Sequence, residues 1–215
     1  MSYKTVFDLR SNIEQARSVA LGSKRSKLIG TGVDELRGFS TRQVRWFINE
    51  LCSFGPCKYL EIGTWAGSTL IPAIYKNECE GIGIDNWSQF TPKELGGFDA
   101  RVELQKNLTK YQLNPTMLSG DCFWESIMKM PLVKDINVFM YDGLHDAEPT
   151  QKAIEIYGKL CAQPFILLVD DLELEPSVRI GLSKALMSFR CHDAWELTKA
   201  QGFHEGVWVG ILESR

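Results

Sequence analysis

The chain lacks the features that mark membrane and secreted proteins. None of its apolar runs approaches the roughly 18 residues that a membrane span requires, and residues 1–10 are too polar and charged for a signal peptide. The six cysteines show no CxxC spacing, and most of them lie in apolar segments, which predicts reduced, packed thiols. We therefore expect a cytoplasmic protein with no membrane partner.

Positive charge is also scarce. The sequence has 24 Lys and Arg residues against 27 Asp and Glu residues, a formal net charge of −3 at pH 7. Proteins that bind the phosphate backbone of nucleic acids need clustered Lys and Arg, and the one basic cluster, at residues 24–27, is more typical of a solvated loop. We therefore expect a small-molecule substrate and no nucleic acid as partner. A homo-oligomer is possible, with the N-terminal segment as a contact.

The 215 residues suit one large domain with a short appendage. A helix over residues 6–20 and a loop rich in Gly, Ser and Lys predict an N-terminal helical cap, residues 1–39. From residue 40 to residue 215, short apolar runs alternate with helical patterns, as in parallel strands covered on both faces. The predicted fold class is α/β: a doubly wound, seven-stranded, mostly parallel sheet with an antiparallel C-terminal hairpin.

Element boundaries follow from apolar runs, caps and prolines. Ser40 and Gln43 fit a capping box at the start of the first helix of the main domain. Helices are expected over residues 68–76 and 100–111, and two more are expected to begin at Pro149 and Pro176. The parallel strands are predicted at residues 58–62, 81–85, 116–119, 136–141 and 165–169, and the hairpin at residues 194–199 and 207–213.

The most informative segment is the glycine turn at residues 61–68, EIGTWAGS, where a buried strand ends in an acid and leads into a helix. Its glycines permit positive φ and close approach of a ligand, and the helix N-terminus offers free amides. The GxxxG spacing differs from the GxGxxG of dinucleotide sites, and an acid repels pyrophosphate but attracts a cationic ligand. The pattern favours S-adenosylmethionine over NAD, with contacts from Glu61, Gly63, Thr64, Gly67 and Ser68.

Further cofactor contacts are expected at the ends of the next two strands. Asp85 ends the second strand about 20 residues after the turn, where an acid accepts ribose hydroxyls. The third strand ends in Gly120-Asp121-Cys122, where a side chain can reach an adenine amino group; a helix cap is an equally weighted alternative for Asp121. The predicted contacts are Asp85, Asn86, Gly120, Asp121 and Cys122.

From residue 40 onwards the chain resembles the class I S-adenosylmethionine-dependent methyltransferases, and within them the metal-dependent O-methyltransferases, including catechol O-methyltransferase and the macrolide-sugar and cephalosporin-tailoring branch. The resemblance rests on EIGTWAGS at residues 61–68, YDGLH at residues 141–145 and VDD at residues 169–171. It implies a Rossmann-like methyltransferase fold and methyl transfer to a hydroxyl of a small molecule, a sugar, polyol or phenol.

Three acids follow the fourth and fifth predicted strands: Asp142, Asp170 and Asp171. If those strands are neighbours, the carboxylates converge beside the cofactor, so that Asp142 would also contact it. A hard divalent cation would relieve their repulsion, and oxygen ligands suit Mg²⁺, Mn²⁺ or Ca²⁺ better than Zn²⁺. The resemblance likewise implies that these acids hold Mg²⁺. Capping and loop hydrogen bonding are the alternative.

His145 lies three residues after Asp142, where an imidazole can take a proton from a substrate hydroxyl. The family places its general base, often a lysine, at this offset, so His145 and Asp142 are the predicted catalytic residues; a structural helix cap is the alternative for His145. His192 and His204 are expected at the surface.

Three other functions remain open at this stage. They are a metal-independent methyltransferase with His145 as its only base, a non-catalytic S-adenosylmethionine-binding protein, and a nicotinamide-dependent Rossmann enzyme. The loop of residues 87–98 either covers the cofactor or lines a substrate pocket, with a plain connection as the alternative. Trp65 and Trp124 either flank the cofactor or belong to the core.

Overall fold

A computed structural model describes residues 5–22 and 24–215, and within these residues a seven-stranded mixed sheet forms the centre of the fold. The strands are β1 (Cys57–Ile62), β2 (Cys79–Asp85), β3 (Thr116–Ser119), β4 (Ile136–Tyr141), β5 (Cys161–Val169), β6 (Phe189–Leu197) and β7 (Val207–Ser214). Their order is β3-β2-β1-β4-β5-β7-β6. Strands β1 to β5 are parallel, and β7 runs antiparallel to both β5 and β6. The predicted fold class is confirmed.

Helices cover both faces of this sheet, because successive side chains of each strand point to opposite sides. Helices α1 to α3 pack on one face, and α5 to α7 on the other. No helix in the described part of the chain is long and apolar enough to cross a membrane. The helices are α1 (Val6–Ala20), α2 (Arg42–Leu51), α3 (Leu70–Ile74), α4 (Ala100–Tyr111), α5 (Glu125–Met128), α6 (Ala147–Gly158) and α7 (Pro176–Ala185), with 3₁₀ turns at Val33–Glu35, Pro131–Val133, Leu186–Ser188 and Lys199–Gln201.

The strand register aligns the carboxyl ends of the central strands. Ile62 of β1 pairs with Ile84 of β2 on one side and with Tyr141 of β4 on the other, and Tyr141 in turn pairs with Val169 of β5. The residues that follow these four positions therefore emerge at one edge of the sheet. That edge includes the point where the chain reverses its strand order, where open α/β sheets bind ligands.

Two predicted helix starts are wrong by one or two residues. Helix α2 is capped by Thr41, whose hydroxyl accepts from the Val44 amide at 3.4 Å, rather than by Ser40. The Ser40 hydroxyl instead donates to the Ser68 carbonyl at 3.1 Å. Helix α6 begins at Ala147, so Pro149 is its third residue. Proline is tolerated there because the first four amides of a helix lack intrahelical acceptors.

Other boundaries differ at strand and helix ends. Helix α3 is shorter than the predicted 68–76, because Gly67 and Ser68 belong to the glycine turn and Lys76 has a φ of 55°. Strand β6 ends at Leu197 rather than at residue 199, because Thr198 caps a 3₁₀ turn with Gln201. The helix over residues 6–20 and the start at Pro176 are confirmed.

The segment before α2 is held against the main fold by a buried arginine. Arg45 of α2 is 4% exposed, and its guanidinium donates to the Asp34 carbonyl at 3.0 Å and to the Ser40 hydroxyl and carbonyl at 2.9 and 2.8 Å. These bonds fix the loop that carries Phe39 to the carboxyl edge of the sheet. The division into a cap, residues 1–39, and a domain, residues 40–215, stays a prediction.

Candidate active site

A cavity of about 420 Å³ opens at the carboxyl ends of β1, β2, β4 and β5. Its walls come from the glycine turn, the loop after β2, the start of α4, the ends of β4 and β5 and the segment before α2. Five of its residues are acids and one, Arg101, is a permanent cation. The lining residues that carry the arguments below are Phe39, Trp65, Asp85, Asp142, His145, Asp170, Asp171 and His204.

The glycine turn is built for close approach between β1 and β4. Gly63 has a φ of 90°, and a Cβ at this position would lie 1.8 Å from the Asp142 carbonyl oxygen. Any side chain there would displace the end of β4. Gly67 has a φ of 80°, and its amide closes the turn on the Thr64 carbonyl at 2.8 Å. Gly63, Thr64 and Ser68 line the cavity, whereas Gly67 packs against Leu104 behind it.

Asp85 organises the loops at the end of β2. One carboxylate oxygen accepts from the Trp65 amide at 2.7 Å, and the other accepts from the Trp87 amide at 2.6 Å. The Trp87 indole N–H donates to the Trp65 carbonyl at 3.0 Å, which ties the two loops together. Since each carboxylate oxygen has a second lone pair, Asp85 retains acceptor capacity at the cavity.

Two acids and a histidine converge at the ends of β4 and β5, and a third acid, Asp170, lines the same cavity. His145 Nε2 lies 2.9 Å from Asp171 Oδ2 and 3.9 Å from Asp142 Oδ1. One ligand atom each from Asp142, His145 and Asp171 lie within 4.8 Å of one another. The prediction that the two strands are neighbours is thus correct, and it brings these groups together.

Their proximity perturbs their proton affinities. Ion pairing with Asp142 and Asp171 raises the pKa of His145 to about 10. Removal from water and the nearby Asp171 raise the pKa of Asp142 to about 6. Burial and the charges of Asp142 and Asp171 hold the pKa of Asp170 well above its usual value. All three shifts favour the protonated forms of these groups, as expected where carboxylates are buried close together.

The acids also leave coordination capacity unused. Asp170 and Asp171 are 6% and 7% exposed, and the Oδ1 atom of each is buried without a hydrogen-bond partner. A buried carboxylate oxygen without a partner is costly. Oxygen ligands from Asp142, Asp170 and Asp171 are the donors that Mg²⁺, Mn²⁺ and Ca²⁺ prefer. Asp142 and Asp171, which have ligand atoms within 4.8 Å of each other, thus fit a hard divalent cation, and Asp170 lines the same cavity.

Glu61 lies outside the cavity lining, and its predicted role at the cofactor stays a prediction. Its side chain is fully buried, Oε2 accepts from the Tyr59 hydroxyl at 2.5 Å, and Oε1 has no partner. Burial raises the pKa of Glu61 to about 8. The acids that line the cavity are therefore Asp85, Asp99 and the three acids after β4 and β5.

Several predicted cofactor contacts lie outside the cavity lining. Asn86 Oδ1 accepts from the Ser88 amide at 3.0 Å, and Asp121 Oδ1 accepts from the Phe123 amide at 2.8 Å, so both stabilise their own loops. Gly120 packs beneath the Trp124 ring, and the Cys122 carbonyl accepts from the Tyr157 hydroxyl at 2.5 Å. Their role at the cofactor stays a prediction.

Aromatic rings lie on the far side of the cavity, and of these the sequence patterns missed Phe39. The Phe39 ring lies 4.6 Å from the Trp65 ring and 6.0 Å from the Phe90 ring, measured between centroids. Trp65 also contacts Phe98 at 5.3 Å. The loop of residues 87–98 contributes Trp87, Gln89, Phe90 and Pro92 to the lining.

The prediction that His204 is a surface residue is wrong. His204 lines the cavity, and its Nδ1 lies 3.6 Å from Asp171 Oδ1. The turn before β7 folds back across the end of β5, where the Leu172 amide donates to the Gly206 carbonyl at 3.1 Å. His192 is half-buried, 3.0 Å from Glu213. No local pattern marks either contact.

No family model and no curated protein matches the chain. Among solved structures, a candidate S-adenosylmethionine-dependent methyltransferase from Streptococcus mutans aligns at a TM-score of 0.56 and 10% identity, covering 80% of this chain and 48% of that one. The O-methyltransferase of Bacillus cereus in complex with SAH aligns at a TM-score of 0.53 and 11% identity, and the alignment covers 94% of this chain and 91% of that one. A candidate RNA methyltransferase from Pyrococcus horikoshii aligns at a TM-score of 0.57 and 11% identity, and the alignment covers 89% of this chain and 98% of that one. The chain has the fold of these methyltransferases.

The resemblance to class I methyltransferases is thereby confirmed for the fold, while the metal-dependent branch stays a prediction. The chain spans about half the length of the Streptococcus mutans protein.

The exclusion of nucleic acid as a partner is wrong, because the Pyrococcus horikoshii protein shares the fold over 89% of this chain. Net charge averages over a whole surface, whereas contact with RNA needs only a local patch.

Proposed function

We propose that the protein is an S-adenosylmethionine-dependent methyltransferase that acts on a hydroxyl of a small molecule with the assistance of a divalent cation. The observation that carries the proposal is the convergence of the glycine turn, Asp85 and the acid–histidine cluster on one cavity. We assign the first two features to the cofactor and the third to the acceptor.

The cofactor half of the cavity supports this assignment. Gly63, Thr64 and Ser68 present backbone and hydroxyl groups, and Asp85 presents a carboxylate with spare lone pairs for ribose hydroxyls. Trp65 and Phe39 supply aromatic surface beside them. The acids that line the cavity favour a ligand with a positive sulfonium over one with a pyrophosphate.

The acceptor half contains the acids and His145. The cation would be held by Asp142, Asp170 and Asp171. It would lower the pKa of an acceptor hydroxyl bound to it. In the unliganded state the imidazole of His145 keeps its proton because of its ion pair with Asp171. If the carboxylates bound the cation, their charge would no longer hold the proton on Nε2. The imidazole could then lose this proton and accept the proton of the hydroxyl. This requirement disfavours the metal-independent alternative.

The acceptor is best matched by an uncharged hydroxyl compound. The cavity of about 420 Å³ lies within the range of small-molecule sites. Its lining has a single arginine and no lysine, so it offers few partners to an anionic group on the acceptor. A sugar, polyol or phenol meets these conditions.

Calorimetry on the full chain tests the cofactor. We expect binding of S-adenosylhomocysteine and no binding of NADH. Asp85→Asn should weaken S-adenosylhomocysteine binding by about tenfold or more, the value of one charge-assisted hydrogen bond. Asp135→Asn is the matched control: Asp135 is exposed at the opposite end of β4, so binding should be unchanged. Absence of binding by the wild type would overturn the proposal.

A methyl-transfer assay tests the acceptor, with sugars, polyols, phenols and RNA as separate arms. Turnover of a hydroxyl compound that stops with EDTA and returns with Mg²⁺ supports the proposal. Turnover only of RNA would overturn the acceptor class and leave the cofactor assignment intact.

A further inference from the structure

Three cysteine side chains meet at the edge of the sheet opposite the cavity. Cys52 directly follows α2, Cys57 begins β1 and Cys79 begins β2. Their sulfur atoms all lie within 4.8 Å of one another. The sequence gives no hint of this group, because 21 residues separate the second cysteine from the third.

The fold itself brings the three thiols together. Cys57 and Cys79 are register partners on neighbouring parallel strands, so their side chains point to the same face of the sheet. Helix α2 covers that face, and its C-terminal end places Cys52 over them. Backbone hydrogen bonds fix the positions: the Cys57 amide donates to the Glu78 carbonyl at 3.0 Å, and the Cys52 amide donates to the Ile48 carbonyl at 3.0 Å.

The surroundings combine burial with one open side. Cys52 is 0% exposed and Cys57 is 7% exposed, whereas Cys79 is half-buried and leaves a path to solvent. The Lys27 ammonium lies within electrostatic reach of Cys52 and donates to Asn77 Oδ1. A positive charge beside the thiols would offset part of the negative charge of a thiolate cluster.

We propose that Cys52, Cys57 and Cys79 form a binding site for a soft, thiophilic metal ion of the Zn²⁺ and Cu⁺ class. Metal–sulfur bonds of about 2.3 Å place the sulfurs of a three-coordinate ion about 4 Å apart, which the observed spacing allows with small side-chain adjustments. Thiolate ligands select such ions over Mg²⁺ and Ca²⁺. The hard-cation cluster and this sulfur site would therefore bind different metals.

The sulfur site would act on the structure rather than on methyl transfer. Strand β1 has six residues, so at roughly 3.3 Å per residue its two ends lie about 16 Å apart. A bound ion would link the end of α2 to the starts of β1 and β2 and stabilise that edge against unfolding.

Titration of the full-length, reduced protein with Cd²⁺ in excess Mg²⁺ tests the site. The probe is the ultraviolet sulfur-to-cadmium charge-transfer absorption, which carboxylate sites do not produce. We expect this absorption to saturate at one Cd²⁺ per chain and to be reversed by EDTA. Absence of the absorption would overturn the proposal and would leave the proposed methyltransferase function untouched.

Cys79→Ser should weaken Cd²⁺ binding by at least tenfold, since it removes the most accessible ligand. Cys191→Ser, at an exposed cysteine outside the cluster, is the matched control and should bind as the wild type does. If Cys79→Ser does not fold, alkylation of the wild type read by mass spectrometry takes its place. Cd²⁺ should then protect Cys79 and leave Cys191 reactive. Unchanged Cd²⁺ binding by Cys79→Ser, or equal alkylation with and without Cd²⁺, would overturn the site.

Discussion

Glu61 offers the sharpest test of how burial controls charge in this fold. The side chain has no exposed surface, one oxygen bonded to the Tyr59 hydroxyl and one without a partner. The perturbation is Glu61→Gln, which keeps the shape and a carbonyl acceptor for Tyr59 but cannot ionise. We expect this substitution to remove a pH-dependent loss of stability.

The magnitude follows from the two pKa values. Burial raises the pKa of Glu61 from 4.5 to about 8 on folding. Between these values the folded state binds more protons than the unfolded state, so the stability falls as the pH rises through this window. At about 1.4 kcal/mol per pH unit, the free energy of unfolding should fall by about 3 kcal/mol between pH 4.5 and pH 7 because of this group alone.

Urea unfolding followed by tryptophan fluorescence, at a series of pH values and without ligand, measures the effect. The difference in free energy of unfolding between Glu61→Gln and the wild type should grow by about 3 kcal/mol from pH 4.5 to pH 7 in favour of the variant. Glu78→Gln, at an exposed glutamate before β2, should keep the wild-type slope. A constant difference between Glu61→Gln and the wild type across this range would refute the account of Glu61.

Three further predictions concern the site and its supports. The double variant Asp142→Ala/Asp170→Ala should lose methyl transfer and its dependence on Mg²⁺; full activity in EDTA would contradict metal assistance. Gly63→Ala should lower the free energy of unfolding by about 3 kcal/mol or more in urea titrations, because of its positive φ and the 1.8 Å approach to the Asp142 carbonyl. Arg45→Met should speed hydrogen exchange over residues 34–40 and weaken S-adenosylhomocysteine binding by about tenfold; unchanged exchange would contradict the role of Arg45.

The sequence was sufficient to predict the sheet and one side of the cavity. Short apolar runs that alternate with helical patterns require a parallel sheet, and a parallel sheet brings the residues after its strands to one edge. That logic alone places Gly63, Asp85, Asp142, Asp170 and Asp171 together, without knowledge of any contact. This logic uses local sequence patterns, and these patterns do not predict how the loops beyond the strand ends pack.

The other side of the cavity comes from segments whose approach is set by tertiary packing. Phe39 reaches the site because the buried Arg45 holds the preceding loop, and His204 reaches it because the turn before β7 crosses the end of β5. The cap at Thr41 rather than Ser40 has the same origin, since the Ser40 hydroxyl bonds to Ser68. Apart from the bonds between Arg45 and the loop just before it, these contacts join residues far apart in sequence, so no periodicity or spacing predicts them.

The burial of Glu61 changes the electrostatic basis for cofactor choice. An acid at the end of a buried strand was expected to face the ligand, but Glu61 is fully buried and lies outside the cavity lining. Charge at the cavity instead comes from Asp85 and from the cluster of Asp142, Asp170 and Asp171. Because these acids lie on both sides of the strand-order reversal, one positive ligand cannot neutralise them all. A sulfonium beside Asp85 and a divalent cation in the cluster would together satisfy both groups, which is why we assign two cationic ligands to this one cavity.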